Sequence, residues 1–215
     1  LLDQAKKYLE AGDNRSYDPR LEALVPALRR NIPVIIHAKT PEEIREAMQI
    51  ASDCEIRLIV SGAVQAHRLA DELARAGVGV ILGDSASSLE SIRGGGEGYR
   101  FDAPALLSRK GVKVAFFGPS ASRRGMPTGR LGGEPALNAA WAFRNGASER
   151  DALRMLTLNA AEMLGIDDRV GSIDIGKDAD FMILEGHPFD YRVLPLMVFI
   201  DGTLIHQGYI IPHHH

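Results

Sequence analysis

The sequence predicts an α/β fold, a parallel sheet with helical crossovers followed by a smaller β-rich segment. Three observations lead there. Short, continuous apolar runs recur near 33–37, 56–60, 78–82 and 112–117, each suited to a strand buried on both faces. Stretches with helical spacing of apolar residues separate them, and a strand–helix–strand alternation requires parallel pairing. Past residue 165 the pattern turns to short strands, with Asp201-Gly202 as a hairpin signal between Phe199-Ile200 and Leu204-Ile205.

Taken in order, Leu1 to Glu10 carries apolar residues at 1, 2, 5, 8 and 9, one helical face, and Gly12-Asp13-Asn14 ends it. Asp18-Pro19 opens a second helix, with Asp18 as N-cap, Pro19 at the first helical position, and Leu21, Leu24, Val25 and Leu28 on one face. The 33–37 strand follows. Thr40 and Glu43 then form a capping box for a helix running to about Asp53. After the 56–60 strand, a helix from Gln65 to Ala76 stops at Gly77, and the 78–82 strand stops at Gly83. A Ser- and Gly-rich loop spans Asp84 to Gly98, the longest stretch without periodicity. A helix from Asp102 to Lys110 precedes the 112–117 strand. A second Gly-rich loop, Gly118 to Gly133, leads to helices at Glu134–Asn145 and Ser148–Leu164, broken at Asn145-Gly146. The β segment has strands near Ser172–Ile173, Phe181–Leu184 and Met197–Ile200.

Composition narrows the function. The 215 residues are 45% hydrophobic, enough for a real core, and carry a net charge of −3. No basic stripe or Lys/Arg run argues for nucleic acid, and Arg123-Arg124 is too short to count. The single cysteine, Cys54, excludes a disulfide framework within the chain and suits a small buried apolar residue. No apolar run reaches the ~18 residues of a membrane-spanning helix. No signal peptide is visible; the compartment, cytoplasmic or periplasmic/exported, stays open. Leu1 opens in mid-helix, so the true N-terminus is expected outside this sequence. His213–His215 reads as the start of a purification tag.

The stretch from Thr157 to Gly202 carries the most specific pattern. Thr157, Asn159, Ala161, Leu164 and Gly165 close a helix. Gly171, Ser172, Gly176, Lys177, Ala179 and Asp180 follow, and Gly202 sits in the last hairpin. This pattern resembles the closing segment of the amidohydrolase superfamily, of the imidazolonepropionase-like kind. The resemblance implies a (β/α)₈ barrel flanked by a small β-sandwich that takes strands from both chain ends. Four β/α units are half of such a barrel, and the resemblance assigns them as strands five to eight. Residues 1–166 are then the second barrel half, 167–212 a β-sandwich segment and 213–215 a tag remnant. A half barrel has two open edges, at the 33–37 and 112–117 strands, and such edges pair or aggregate. The expected partner is the N-terminal barrel half, on the same protein or a partner chain; a dimeric, rearranged half barrel is the alternative, and a homo-oligomer is expected.

His37 is the sharpest candidate, at the C-terminal end of a parallel strand, where barrel active sites assemble. The resemblance implies that it binds a divalent metal, zinc first, for which neutral imidazole is a good ligand. A second histidine is implied at the next strand end, where this sequence has Val60-Ser61-Gly62; His67, at the start of the next helix, either reaches back to the site or is a solvated surface residue. The last strand should end in the aspartate that accepts the proton of the attacking water. Pro119 stands there, with no ligand atom or base, followed by Ser120; Asp84 is a weak substitute and suits a turn. Arg123 and Arg130 flank that strand end and suit either a substrate carboxylate or a solvated loop. Gly94-Gly95-Gly96 lacks the context of a phosphate loop. His187 and His206 lie in the β segment and receive no site role. The first-strand H-x-H of the family and the fourth-strand Lys or Glu that bridges two metals would lie in the absent half.

The resemblance thus implies a metal-dependent hydrolase of C–N bonds in amides, cyclic amides or peptide-like small molecules, in which a metal-bound water attacks the carbonyl carbon. The alternative is a catalytically degenerate relative whose barrel binds a ligand or serves as a scaffold.

Overall fold

The computed structural model describes residues 1–12, 16–82, 100–117, 135–190 and 192–208. Its centre is a four-stranded parallel sheet in the order β1 (Val34–Ala38), β2 (Leu58–Gly62), β3 (Gly79–Leu82) and β4 (Val114–Phe116). Each strand is a few residues shorter than, or displaced from, its apolar run, because pairing and not hydropathy sets the ends.

Side-chain caps start some of the helices and not others. α1 covers Leu2–Glu10. Asp18 accepts from the Arg20 N–H as N-cap of α2 (Pro19–Glu22). The expected single helix to Leu28 is instead two short pieces, α2 and α3 (Val25–Leu28), and Pro26 lies in the first turn of α3, where its missing N–H costs nothing. α4 (Pro41–Cys54) opens on the expected capping box between Thr40 and Glu43. A 3₁₀ turn, Ala66–Leu69, leads into α5 (Ala70–Ala76), which ends on left-handed Gly77. α6 (Ala103–Arg109) precedes β4. α7 (Pro135–Arg144) follows it.

The expected helix from Ser148 to Leu164 is also two. α8 (Glu149–Leu156), capped by Ser148, stops at Thr157, and α9 (Leu158–Leu164) sets off in a new direction. Thr157 has φ −131° and ψ −89°, outside the helical region. Its Oγ1 donates to the Leu153 carbonyl at 2.9 Å, a back-bond that competes with helix continuation.

The two faces of the sheet differ. Ala38, Leu58, Val60, Val80, Leu82 and Val114 face the helices and form the main core with Ile44, Leu69, Leu73, Leu107 and Met155. Cys54 is buried there too. The opposite face carries Ile35, His37, Ile59, Ser61, Ile81 and Ala115. Here the expectation of strands buried on both faces fails for β1: Ile35 is 49% exposed and His37 is exposed. Among the described residues, nothing packs over that part of the sheet.

α9 covers the other end of this face. Met163 packs with Ile59 and Ala115, and its Sδ occupies the space a Cβ on Gly79 would need. Arg57 donates to the Met163 carbonyl at 3.0 Å, a cation at a helix C-terminus. Lys113 pairs with Glu162 at 2.9 Å, and buried Asn159 donates to the Val114 carbonyl at 2.9 Å. Arg57, Gly79, Lys113 and Val114 all stand at strand beginnings, so α9 closes the N-terminal end of the sheet.

A separate antiparallel sheet follows, β5 (Phe181–Leu184), β6 (Pro195–Ile200) and β7 (Thr203–Gln207), in that order. Phe181 stacks on Phe199 with centroids 4.6 Å apart. The β6–β7 turn has positive φ at both Asp201 and Gly202, as a type I′ hairpin requires. Residues 172–173 are not in a strand; Ser172 instead bonds Asp174 and Lys177. The segment between α9 and β6 also packs on the helical layer through rings: Phe143 of α7 lies 5.6 Å from His187 and 5.5 Å from Phe189.

Candidate functional site

His37 is presented by β1 at the C-terminal end of the sheet, on the open face. Its register partner across β2 is Ser61. Nδ1 of His37 lies 3.3 Å from Ser61 Oγ, which in turn lies 3.5 Å from the Ile36 carbonyl oxygen. The ring rests against Gly62, where an added Cβ would come within 2.6 Å of Cε1. Just above, Glu43 closes the strand-to-helix turn by accepting from the N–H groups of Lys39 and Thr40 at 2.6 and 3.1 Å. These two bonds hold its carboxyl below the usual carboxylate range, and the nearby His37 adds to the effect. The sequence alone does not mark Ser61 and Gly62 as site residues: the contact depends on register, which appears only once the strands pair.

His67 falls in the 3₁₀ turn after β2, half-buried. Burial pushes its imidazole below the ordinary value, the Arg100 and Arg68 cations push the same way, and Asp102 opposes them. Among the described residues its enclosed Nδ1 has no partner of good hydrogen-bond geometry, and a contact with the Val64 backbone opposes the shift only weakly. The structure thus gives His67 the company of Arg100 and Asp102, while His37 has Ser61. Among the described residues no group of three His, Cys, Asp or Glu side chains comes together as a metal site. Asp84, Pro119, Ser120, Arg123 and Arg130 lie outside the described residues. His187 accepts from the Phe189 N–H at 3.1 Å and lies 3.6 Å from Glu149, in keeping with a packing role. His206 is on exposed β7.

Among the described residues, a cavity lies at each end of the sheet. One, of about 20 Å³, lies at the C-terminal ends between Gly62, Leu82, Phe116, Asn138 and Trp141. It has room for about one water. The buried Asn138 Nδ2, also without a hydrogen-bond partner among the described residues, belongs to a residue that lines it. The other is a cleft of about 920 Å³ at the opposite end, bordered by Arg57, Gly79, Lys113 and Glu162. Its size does not make it the active site, because α/β folds with parallel sheets gather their sites at the C-terminal strand ends.

Residues 13–210 match the family model described as "Amidohydrolase family". The chain belongs to the amidohydrolase family. Imidazolonepropionase of Shewanella baltica is 46% identical over 63 residues, 26% of this chain and 15% of that protein. The 5-methylthioadenosine/S-adenosylhomocysteine deaminase of Symbiobacterium thermophilum is 27% identical over 131 residues, 48% of this chain and 28% of that protein. Among solved structures, an amidohydrolase from Thermotoga maritima MSB8 superposes with a TM-score of 0.77 at 28% identity, over 96% of this chain and 54% of that one. An adenosine deaminase from Xanthomonas campestris with bound zinc superposes with a TM-score of 0.61 at 20% identity, over 94% of this chain and 55% of that one, a likeness of fold alone. The α/β fold of this amidohydrolase-family chain is therefore TIM-barrel-like. The chain spans about half the length of the solved relatives it matches.

Proposed function

We propose that this chain supplies strands five to eight of an amidohydrolase-type (β/α)₈ barrel, with part of its flanking β-sandwich. The completed protein hydrolyses C–N bonds of amide, cyclic amide or peptide-like substrates with a divalent metal, zinc first. The observation that carries the reading is His37, exposed at the C-terminal end of a parallel strand on the sheet's open face. The described residues do not by themselves fit a metal ion, since such sites take three or four ligands and His37 is one. The reading therefore needs first-strand histidines from a completing half, and a general base that the described residues do not offer. Ser61 beside His37, in place of a second histidine, favours one further reading: a degenerate member whose barrel binds a ligand or acts as a scaffold.

One experiment separates them. The completed protein, with both barrel halves, is assayed for bound metal and for hydrolysis of cyclic amides and dipeptides. Under the hydrolase reading His37→Ala loses metal and lowers kcat/KM by at least about 100-fold, the upper end of the loss for outer-shell partners of a metal, with the circular dichroism unchanged. Metal content and activity equal to wild type in His37→Ala would remove His37 from the site. A metal-free, inactive wild type would leave the scaffold reading.

A further inference from the structure

Ser61 has one hydroxyl proton and two polar neighbours. The Ile36 carbonyl, 3.5 Å from Oγ, can only accept. The His37 Nδ1, 3.3 Å from Oγ, can donate or accept, depending on the tautomer. The two contacts coexist as hydrogen bonds in one arrangement only: Ser61 Oγ–H donates to Ile36, and His37 Nδ1–H donates to Ser61 Oγ. In the neutral ring Nε2 is then left with its lone pair. The ring is also held from a second side, where bare Gly62 lets it approach closer than any Cβ would permit. Ser61 is itself only 4% exposed, which suits a buried support better than a nucleophile.

We propose that Ser61 is a positioning residue: it locks His37 in the Nδ1–H tautomer and presents Nε2 as an acceptor towards the open face of the sheet. Where the family resemblance calls for a second histidine, this chain has a support for the first, so this half of the site offers one nitrogen instead of two. Its functional meaning rests on the reading of His37 given above. The tautomer itself does not depend on that reading.

The test is a long-range ¹H–¹⁵N correlation spectrum of the histidine rings in the ¹⁵N-labelled, chelator-treated chain, at a pH where imidazole is neutral. His37→Gln identifies the His37 signals by their loss. In wild type the pyridine-type nitrogen of His37 should be Nε2. Ser61→Ala should return the ring to the Nε2–H form favoured in water, and Ser61→Thr, which keeps the hydroxyl, should restore the wild-type pattern. A pyridine-type Nδ1 in wild type would overturn the proposal, as would an unchanged tautomer in a folded Ser61→Ala. The wild-type spectrum decides even where a variant fails to fold. Because no metal or activity enters the readout, failure of the hydrolase reading would leave this result standing, and the reverse holds too.

Discussion

Gly62 has φ +81° and lies under the His37 ring, so two constraints meet at one residue. Gly62→Ala should destabilise the chain by about 1–2 kcal/mol, the cost of an L-residue in the left-handed region, and should also shift the His37 ring resonances. Urea unfolding and the ring spectrum read the two effects separately. His67 makes a pH prediction. Its folded imidazole titrates below its unfolded value because burial and two arginines disfavour the charge. The unfolded state therefore binds the extra proton first, and stability should fall as pH drops below about 6.5, the unfolded value. Melting temperatures of wild type and His67→Gln between pH 7.5 and 5.5 check this: the variant should lose less on acidification. A drop equal in the two would remove His67 as a cause. At this scale the sequence exposed His37, because the end of a short apolar run can be read directly. It hid Ser61 and Gly62, whose roles come from cross-strand register.

Among the elements, α4 shows how fully a local signal can specify structure. Thr40 Oγ1 accepts from the Glu43 N–H at 3.3 Å while Glu43 accepts from the Thr40 N–H at 3.1 Å. Thr40→Ala should cost about 1 kcal/mol, seen as a lower urea midpoint with an unchanged slope. No loss would mean that packing alone places the helix start. The break at Thr157 carried no comparable signal, since a threonine within a helical pattern is unremarkable. What the break achieves is tertiary: it turns α9 so that Asn159 reaches the Val114 carbonyl. Asn159→Ala leaves that buried carbonyl without its side-chain donor and should cost about 1–3 kcal/mol. The Pro19 start, the Gly77 stop and the Asp201-Gly202 hairpin were legible for the same reason as Thr40. Each is set by backbone chemistry within a few residues. Residues 172–173 form no strand although Ile173 has strand propensity, because among the described residues no strand pairs beside it.

For the molecule as a whole, pattern revealed the order of strands and helices but not which face would lie open. Ile35 at 49% and Phe117 at 44% exposure stand at the two margins of the parallel sheet. Among the described residues, β1 and β4 are each paired along one side only. Apolar margins of this kind recruit further strands. The chain on its own should therefore associate as its concentration rises, and Ile35→Lys should weaken that association; sedimentation velocity over a concentration series measures both. A monomer at all concentrations would show that the margins are protected.

The helix that closes the N-terminal end of the sheet also has a place in time. α9 is reached only after all four parallel strands have been synthesised. Ile59, Gly79 and Ala115 therefore face water until residue 163 has left the ribosome. A nascent chain halted before Leu158 would hold these four strands with Ile59, Gly79 and Ala115 wet, and the last turn of α9 is what covers those three.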